Sequence, residues 1–126
     1  MHKGDRTKVN YITIVSDGTE ETDLVVYDSS ALNATDPSDC AILGLEGFIS
    51  ILDQTAVDIR VNLEFDADTD VLAISLPTRV PFKFDFNSIG GLTNYAGTGK
   101  TGDITITTTG LEAGDTITLI LTVKPN

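Results

Sequence analysis

Apolar and polar residues alternate along most of this chain with a period of two, and turn residues interrupt the alternation every eight to twelve positions or so. That is the pattern of short, half-buried β-strands. It predicts strands over 8–15 (KVNYITIV), 22–28 (TDLVVYD), 40–52 (CAILGLEGFISIL), 57–65 (VDIRVNLEF), 71–76 (VLAISL), 82–86 (FKFDF), 103–109 (DITITTT) and 116–123 (TITLILTV). In the fourth, Val57, Ile59, Val61, Leu63 and Phe65 share one face, while Asp58, Arg60, Asn62 and Glu64 share the other. A strand of that kind has one dry and one wet side. No stretch shows the 3.6-residue period of a helix. About eight strands without helices predict a single antiparallel β-sandwich, jelly-roll-like or immunoglobulin-like. The Cys…Trp…Cys signature of the immunoglobulin version is missing, because the chain has one cysteine and no tryptophan. The jelly-roll-like sandwich is the expected fold.

The breaks between strands carry their own chemistry. Asp17-Gly18 is a hairpin-turn signal, after which the second strand is expected to return along the first. Residues 29–39 read as a loop, and Asp36-Pro37 favours a turn there. Gly44 and Gly47 suggest a bulge or bend in the third strand. Pro77 and Pro81 exclude a continuous central strand between them. Phe82, Phe84 and Phe86 are expected to supply much of the core, with Val61 and Phe84 near its centre. Ile117, Leu119, Leu121 and Val123 form the expected inward set of the last strand.

Composition narrows the class. At 126 residues the chain fits one domain with one core. Its 40% hydrophobic and 21% charged residues fit a globular protein. The longest apolar runs are too short to span a membrane, and the first residues lack the apolar segment of a signal peptide. One cysteine, Cys40, permits no disulfide within the chain, and one histidine, His2, permits no His/Cys metal cage. A net charge of -11 argues against nucleic acid as a direct partner. Against that balance, Lys3, Arg6 and Lys8 sit close together at the start. Residues 1–8 therefore read as a short basic arm, and 9–126 as the sandwich domain. The arm is suited to dock on an acidic protein surface.

Three stretches invite a chemical reading. GLTNYAGTGKTG, residues 91–102, ends as a phosphate-binding loop does, in Gly99-Lys100-Thr101. The full motif needs glycine where Asn94 stands, and a helix where a strand pattern follows. A glycine-rich loop between strands, flexible over 87–102, is the expected structure. FDADTDV places Asp66, Asp68 and Asp70 at the spacing that opens a calcium loop. A strand pattern resumes at Val71, so the rest of that cage is absent and a solvated turn is expected. The acidic run of residues 17–23 is expected to be an exposed turn. Paired carboxylates could cleave glycosides, but sugar sites also need aromatic platforms, and only Tyr11, Tyr27 and Tyr95 are on offer. No nucleophile is paired with a base. No enzyme, no cofactor and no required metal are expected.

Two long stretches, KVNYITIVSDGTEETDLVVYDSSAL and GGLTNYAGTGKTGDITITTTGLEAGDTITLILTVK, resemble small virion structural proteins of tailed bacteriophages, particularly marine and freshwater phages. The middle stretch VNLEFDADTDVLAISL is similar to the same proteins, with Phe65 where they carry an aromatic residue, often tryptophan. The resemblance covers Lys8 to Lys124. It implies a capsid decoration, or cement, protein. Such a protein is a small β-sandwich on the outer surface of the virion, made in the host cytoplasm, that braces the major capsid protein. A homotrimer is the expected assembly, with neither nucleic acid nor membrane as partner. The expected capsid contacts are Lys3, Arg6, Lys8, Tyr95 and Lys100. The alternative is a carbohydrate-binding or adhesin-like sandwich module, for which Tyr95 would be the leading platform.

Overall fold

The computed structural model describes residues 7–19, 22, 24–28, 40–99 and 101–125. The expected loop at 29–39 and the arm residues Lys3 and Arg6 lie outside them, as does Lys100. Nine strands run through the described chain: β1 (Lys8–Val15), β2 (Leu24–Tyr27), β3 (Cys40–Ser50), β4 (Arg60–Phe65), β5 (Val71–Ser75), β6 (Phe82–Asp85), β7 (Leu92–Thr93), β8 (Ile104–Thr109) and β9 (Thr116–Pro125). A short 3₁₀ turn covers Asn87–Ile89. The strand beyond the expected eight is the two-residue β7, too short to leave an alternation in the sequence.

The strands form two antiparallel sheets. One has the order β1-β9-β3-β6, with β7 also on β3, and the other β2-β8-β4-β5. Setting β7 aside, this is the strand order of a jelly roll, a long hairpin rolled so that its two arms pair throughout. Its apex is the β4–β5 turn. From there β4 pairs with β5, β3 with β6, β2 with β8 and β1 with β9. This order corrects one expectation. Asp17-Gly18 does not close a β1–β2 hairpin, because the two strands enter different sheets. Gly18 takes its turn conformation (φ 93°), but the chain crosses the edge of the sandwich instead of returning along β1.

The core lies between the sheets and is built by the inward set of each strand. Val61, Leu63, Phe65, Ile104, Ile106, Ile117, Leu119, Leu121 and Val123 are all fully buried. Phe65 is the largest fully buried side chain, at roughly 1.5–3 kcal/mol of transfer free energy. Of the three alternating phenylalanines, only Phe82 is buried. Phe84 and Phe86 pack against the core half-exposed, and their rings stack 6.1 Å apart. Phe84 stands on β6, at the rim of its sheet, and Phe86 follows just after it, so Phe84 is not at the centre of the core. Val57 also leaves the expected inward face and is 78% exposed. Asp58, with φ 58°, ends the extended run before it, so β4 starts at Arg60.

The bulge expected near Gly44 is present, between Ile42 and Gly44 in the β3–β9 ladder. Gly47 has a different role. A Cβ there would run into the Thr118 carbonyl oxygen and lie 3.1 Å from Leu119 Cα, so β3 and β9 pass too close for any other residue.

Candidate functional site

The strand register gathers one end of the sandwich. Lys8 pairs with Val123, Val123 with Ile42, and Ile42 with Leu92, which makes one row across the first sheet. The chain enters β1 at this end. The glycine loop leaves β7 here and crosses to Ile104, where β8 begins in the other sheet. Phe65 pairs with both Ile104 and Val71, so the β4–β5 turn lies here as well. Two of the expected contact residues, Lys8 and Tyr95, are thereby brought to the same end. Lys8 itself is the first residue of β1.

The glycine loop is not free over its length, contrary to its flexible appearance in the sequence. Asn94, almost fully buried, accepts the Ala96 amide at 3.0 Å through its side-chain oxygen. The Tyr95 hydroxyl donates to the Leu72 carbonyl at 2.7 Å, and its ring meets Phe65 edge-on at 6.2 Å. Further on, the loop is joined to the acidic turn. The Asp68 amide donates to Thr98 O, the Thr101 amide to Asp66 O, and the Asp66 amide to Asp103 O, each at 3.1 Å. Gly99 (φ 80°) lies beneath the Asp68 carboxylate, where a Cβ would collide with it.

These contacts bear on the two chemical readings of the region. Asp66 accepts the Thr101 hydroxyl at 2.9 Å, and Asp70 accepts the Ala67 amide at 3.1 Å. Their oxygens are thus used in holding the turn and the loop together. No group of three or more His, Cys, Asp or Glu side chains suited to a metal comes together among the described residues. The phosphate-loop reading needs a helix after Thr101, and β8 stands there instead. The Thr101 hydroxyl is engaged by Asp66 and also accepts the Asp103 amide.

The tyrosines separate. Tyr27 is buried at 3% exposure and belongs to the core, so it is not a candidate for sugar stacking. Tyr95 is exposed but committed to Leu72 and Phe65. Tyr11 stands out of the first sheet at 79% exposure.

The outer faces of the two sheets differ. The β4/β8 face is a polar ladder, in which Thr107 donates to Glu64 at 2.6 Å and Ser75 to Asn62 at 2.7 Å. The outer face of the first sheet carries Val9, Tyr11, Val15 and Phe48, all exposed. An open groove of about 390 Å³ runs along that face, lined among others by Leu43, Glu46, Lys83, Asp85 and Ile120. The Asp85 carboxyl is held below its ordinary value, first by the Asn87 amide at 2.9 Å and then by the Asn87 side chain at 2.7 Å.

The opposite end of the sandwich is fastened by polar residues that sequence reasoning missed. Asp115, 1% exposed, accepts the Leu52 amide through one oxygen and the Glu112 amide through the other, both at 2.9 Å. Its carbonyl accepts the Ser16 amide at 2.8 Å. Arg79, in a left-handed conformation (φ 69°), donates to the carbonyls of Asp53 and Ala56. Asp115 closes the stretch GLEAGD, and nothing in that stretch announces its backbone partners.

No protein-family model, curated protein or solved structure matches the chain.

Proposed function

We propose that this protein is a non-enzymatic head decoration, or cement, protein of a tailed bacteriophage. It binds the outer surface of the capsid and stabilises contacts between major capsid subunits. The observation that carries this reading is the gathering of the arm's exit at Lys8, the tethered glycine loop with Tyr95, and the β4–β5 turn at one end of the sandwich. The resemblance of the turns around these residues to those of phage virion proteins supports it too. The sandwich presents that end, and the positive charges of Lys3, Arg6 and Lys8, on a chain of net charge -11, suit an acidic surface of the capsid lattice. Tyr95 and Lys100 add contacts from the loop. Three copies around a lattice threefold engage three arms at once, so individually weak contacts sum through effective concentration. Neither nucleic acid, membrane nor cofactor takes part.

The test is co-sedimentation of the purified protein with undecorated capsids. Binding at tens of micromolar or better in low salt is expected, weakening as salt screens the arm. Protein that stays in the supernatant under those conditions refutes the proposal. Deletion of residues 1–6 should weaken binding and leave thermal unfolding unchanged. Equal binding by the deletion variant would keep the capsid assignment and remove the arm from it.

A further inference from the structure

β1 has the composition of an interior strand and the position of an edge strand. Among the described residues it pairs with β9 on one side and with no strand on the other. Its inward residues Ile12 and Ile14 pack on the core, and its outward residues are Val9, Tyr11, Thr13 and Val15. Val9, Tyr11 and Val15 are 47%, 79% and 63% exposed. A strand with one wet side alternates apolar with polar residues, as β4 does. A strand apolar on both sides is normally covered on both.

The other sheet edges carry devices that block pairing, and β1 does not. β2 has four residues and a bulge, and its Val26 carbonyl is taken by the Asn10 side chain. β5 carries a bulge at Ala73, and its Leu72 carbonyl is taken by Tyr95. β6 has four residues, follows Pro81, and points Lys83 and Asp85 outward. β1 runs eight residues in unbroken register, without proline or bulge, and its one charge is Lys8 at its start.

We infer that β1 pairs antiparallel with β1 of a second copy of this chain, joining the two β1-β9-β3-β6 sheets into one across a two-fold axis. The occupant follows from the strand's own pattern. A two-fold through Ile12 sets Val9 opposite Val15 and Tyr11 opposite Thr13, so the exposed apolar residues cover one another. It also sets Lys8 opposite Ser16 of the partner subunit, one residue from Asp17, so unlike charges lie near one another at both ends of the ladder. A parallel pairing would place Lys8 on Lys8. The contact is an isologous one, which closes at two copies. It is small for a protein pair, below about 1,200 Å² in total, the size of weak and transient contacts. The inference does not rest on the capsid assignment.

The experiment is sedimentation velocity of the full chain from about 5 to about 500 µM, with amide exchange measured at both ends of that range. A reversible monomer–dimer equilibrium is expected, with β1 amides slowing as concentration rises. The double variant Val9→Lys/Val15→Lys puts like charges opposite each other twice and should raise the dissociation constant about tenfold or more. The variant Val9→Lys/Val15→Glu puts unlike charges in the same places and should restore it to within about threefold of the original. Both sites are exposed, so thermal unfolding of the variants should match the parent, and the exchange data on the parent stand whether or not they do. A chain that stays monomeric to about 500 µM, or an oligomer indifferent to both variants whose β1 amides ignore concentration, overturns the inference.

Discussion

Asp115→Ala tests whether a buried carboxylate fastens two separate connections. The side chain is 1% exposed and accepts two backbone amides, Leu52 N after β3 and Glu112 N in the β8–β9 turn. Hydrogen bonds to a charged group contribute about 1.5–3 kcal/mol each. Both donors belong to exposed residues, so water can enter the space an alanine leaves, and the lower half of that range applies. The expected loss is about 3–4.5 kcal/mol in total. The carbonyl of residue 115 still accepts the Ser16 amide, so the β1–β2 turn keeps its anchor. Asp115→Asn keeps one acceptor and turns an amide NH₂ toward the other donor, so it should lose at least half as much. The assay is urea unfolding, with the midpoint falling and the slope unchanged. Removing one acid from a chain of net charge -11 also relieves repulsion, and an exposed control separates that effect. Asp17→Ala, whose side chain accepts the Thr19 amide among the described residues, should stay within about 0.5 kcal/mol of the parent. A loss below about 1 kcal/mol for Asp115→Ala, or an equal loss for Asp17→Ala, refutes the reasoning.

Four further outcomes are expected. Gly47→Ala should prevent folding or cost several kcal/mol, because the collision is with the β9 backbone and no rotamer relieves it; ordinary expression and circular dichroism decide this. Phe65→Ala should cost about 3–5 kcal/mol in chemical unfolding and Phe84→Ala clearly less, since Phe84 is half-exposed at the rim; the reverse order would place the wrong sheet face inward. Calcium in excess should shift the melting temperature by no more than about one or two degrees, and a large rise lost in Asp68→Ala would reveal a cation site at the β4–β5 turn. Asp53, held low by the Thr55 hydroxyl and then the Thr55 amide, and Asp85, held low by Asn87, each have a folded value below the unfolded one. Their stabilisation is therefore present above the unfolded value and lost as pH falls through the folded value, which NMR titration of the two carboxyls checks against Asp85→Asn.

How much of this was legible in the sequence depends on the range of each interaction. Alternation reads the face of a strand directly, so the inward sets of β8 and β9 and the outward Arg60, Asn62 and Glu64 follow from it without a partner being known. Strand ends are harder, because one residue in a left-handed conformation moves them; Asp58 cut the expected 57–65 strand to six residues, and nothing in its neighbours announces this. Pairing is harder again. The Asp-Gly pair after β1 has the chemistry of a hairpin turn, yet β1 joins β9, more than a hundred residues away in sequence. The candidate contact end suffers most, since it exists only because β1, β7 and the β4–β5 turn meet in space. What ties it together is a set of single polar contacts between distant residues, Tyr95 to Leu72 and Thr101 to Asp66, and a tyrosine or threonine in a loop gives no sign of the carbonyl or carboxylate it will find. The edge position of β1 has the same origin: its apolar outward face is plain in KVNYITIV, but only the sheet order shows that nothing described covers it. Periodicity therefore specifies what each strand needs buried, while topology decides whether this chain buries it alone.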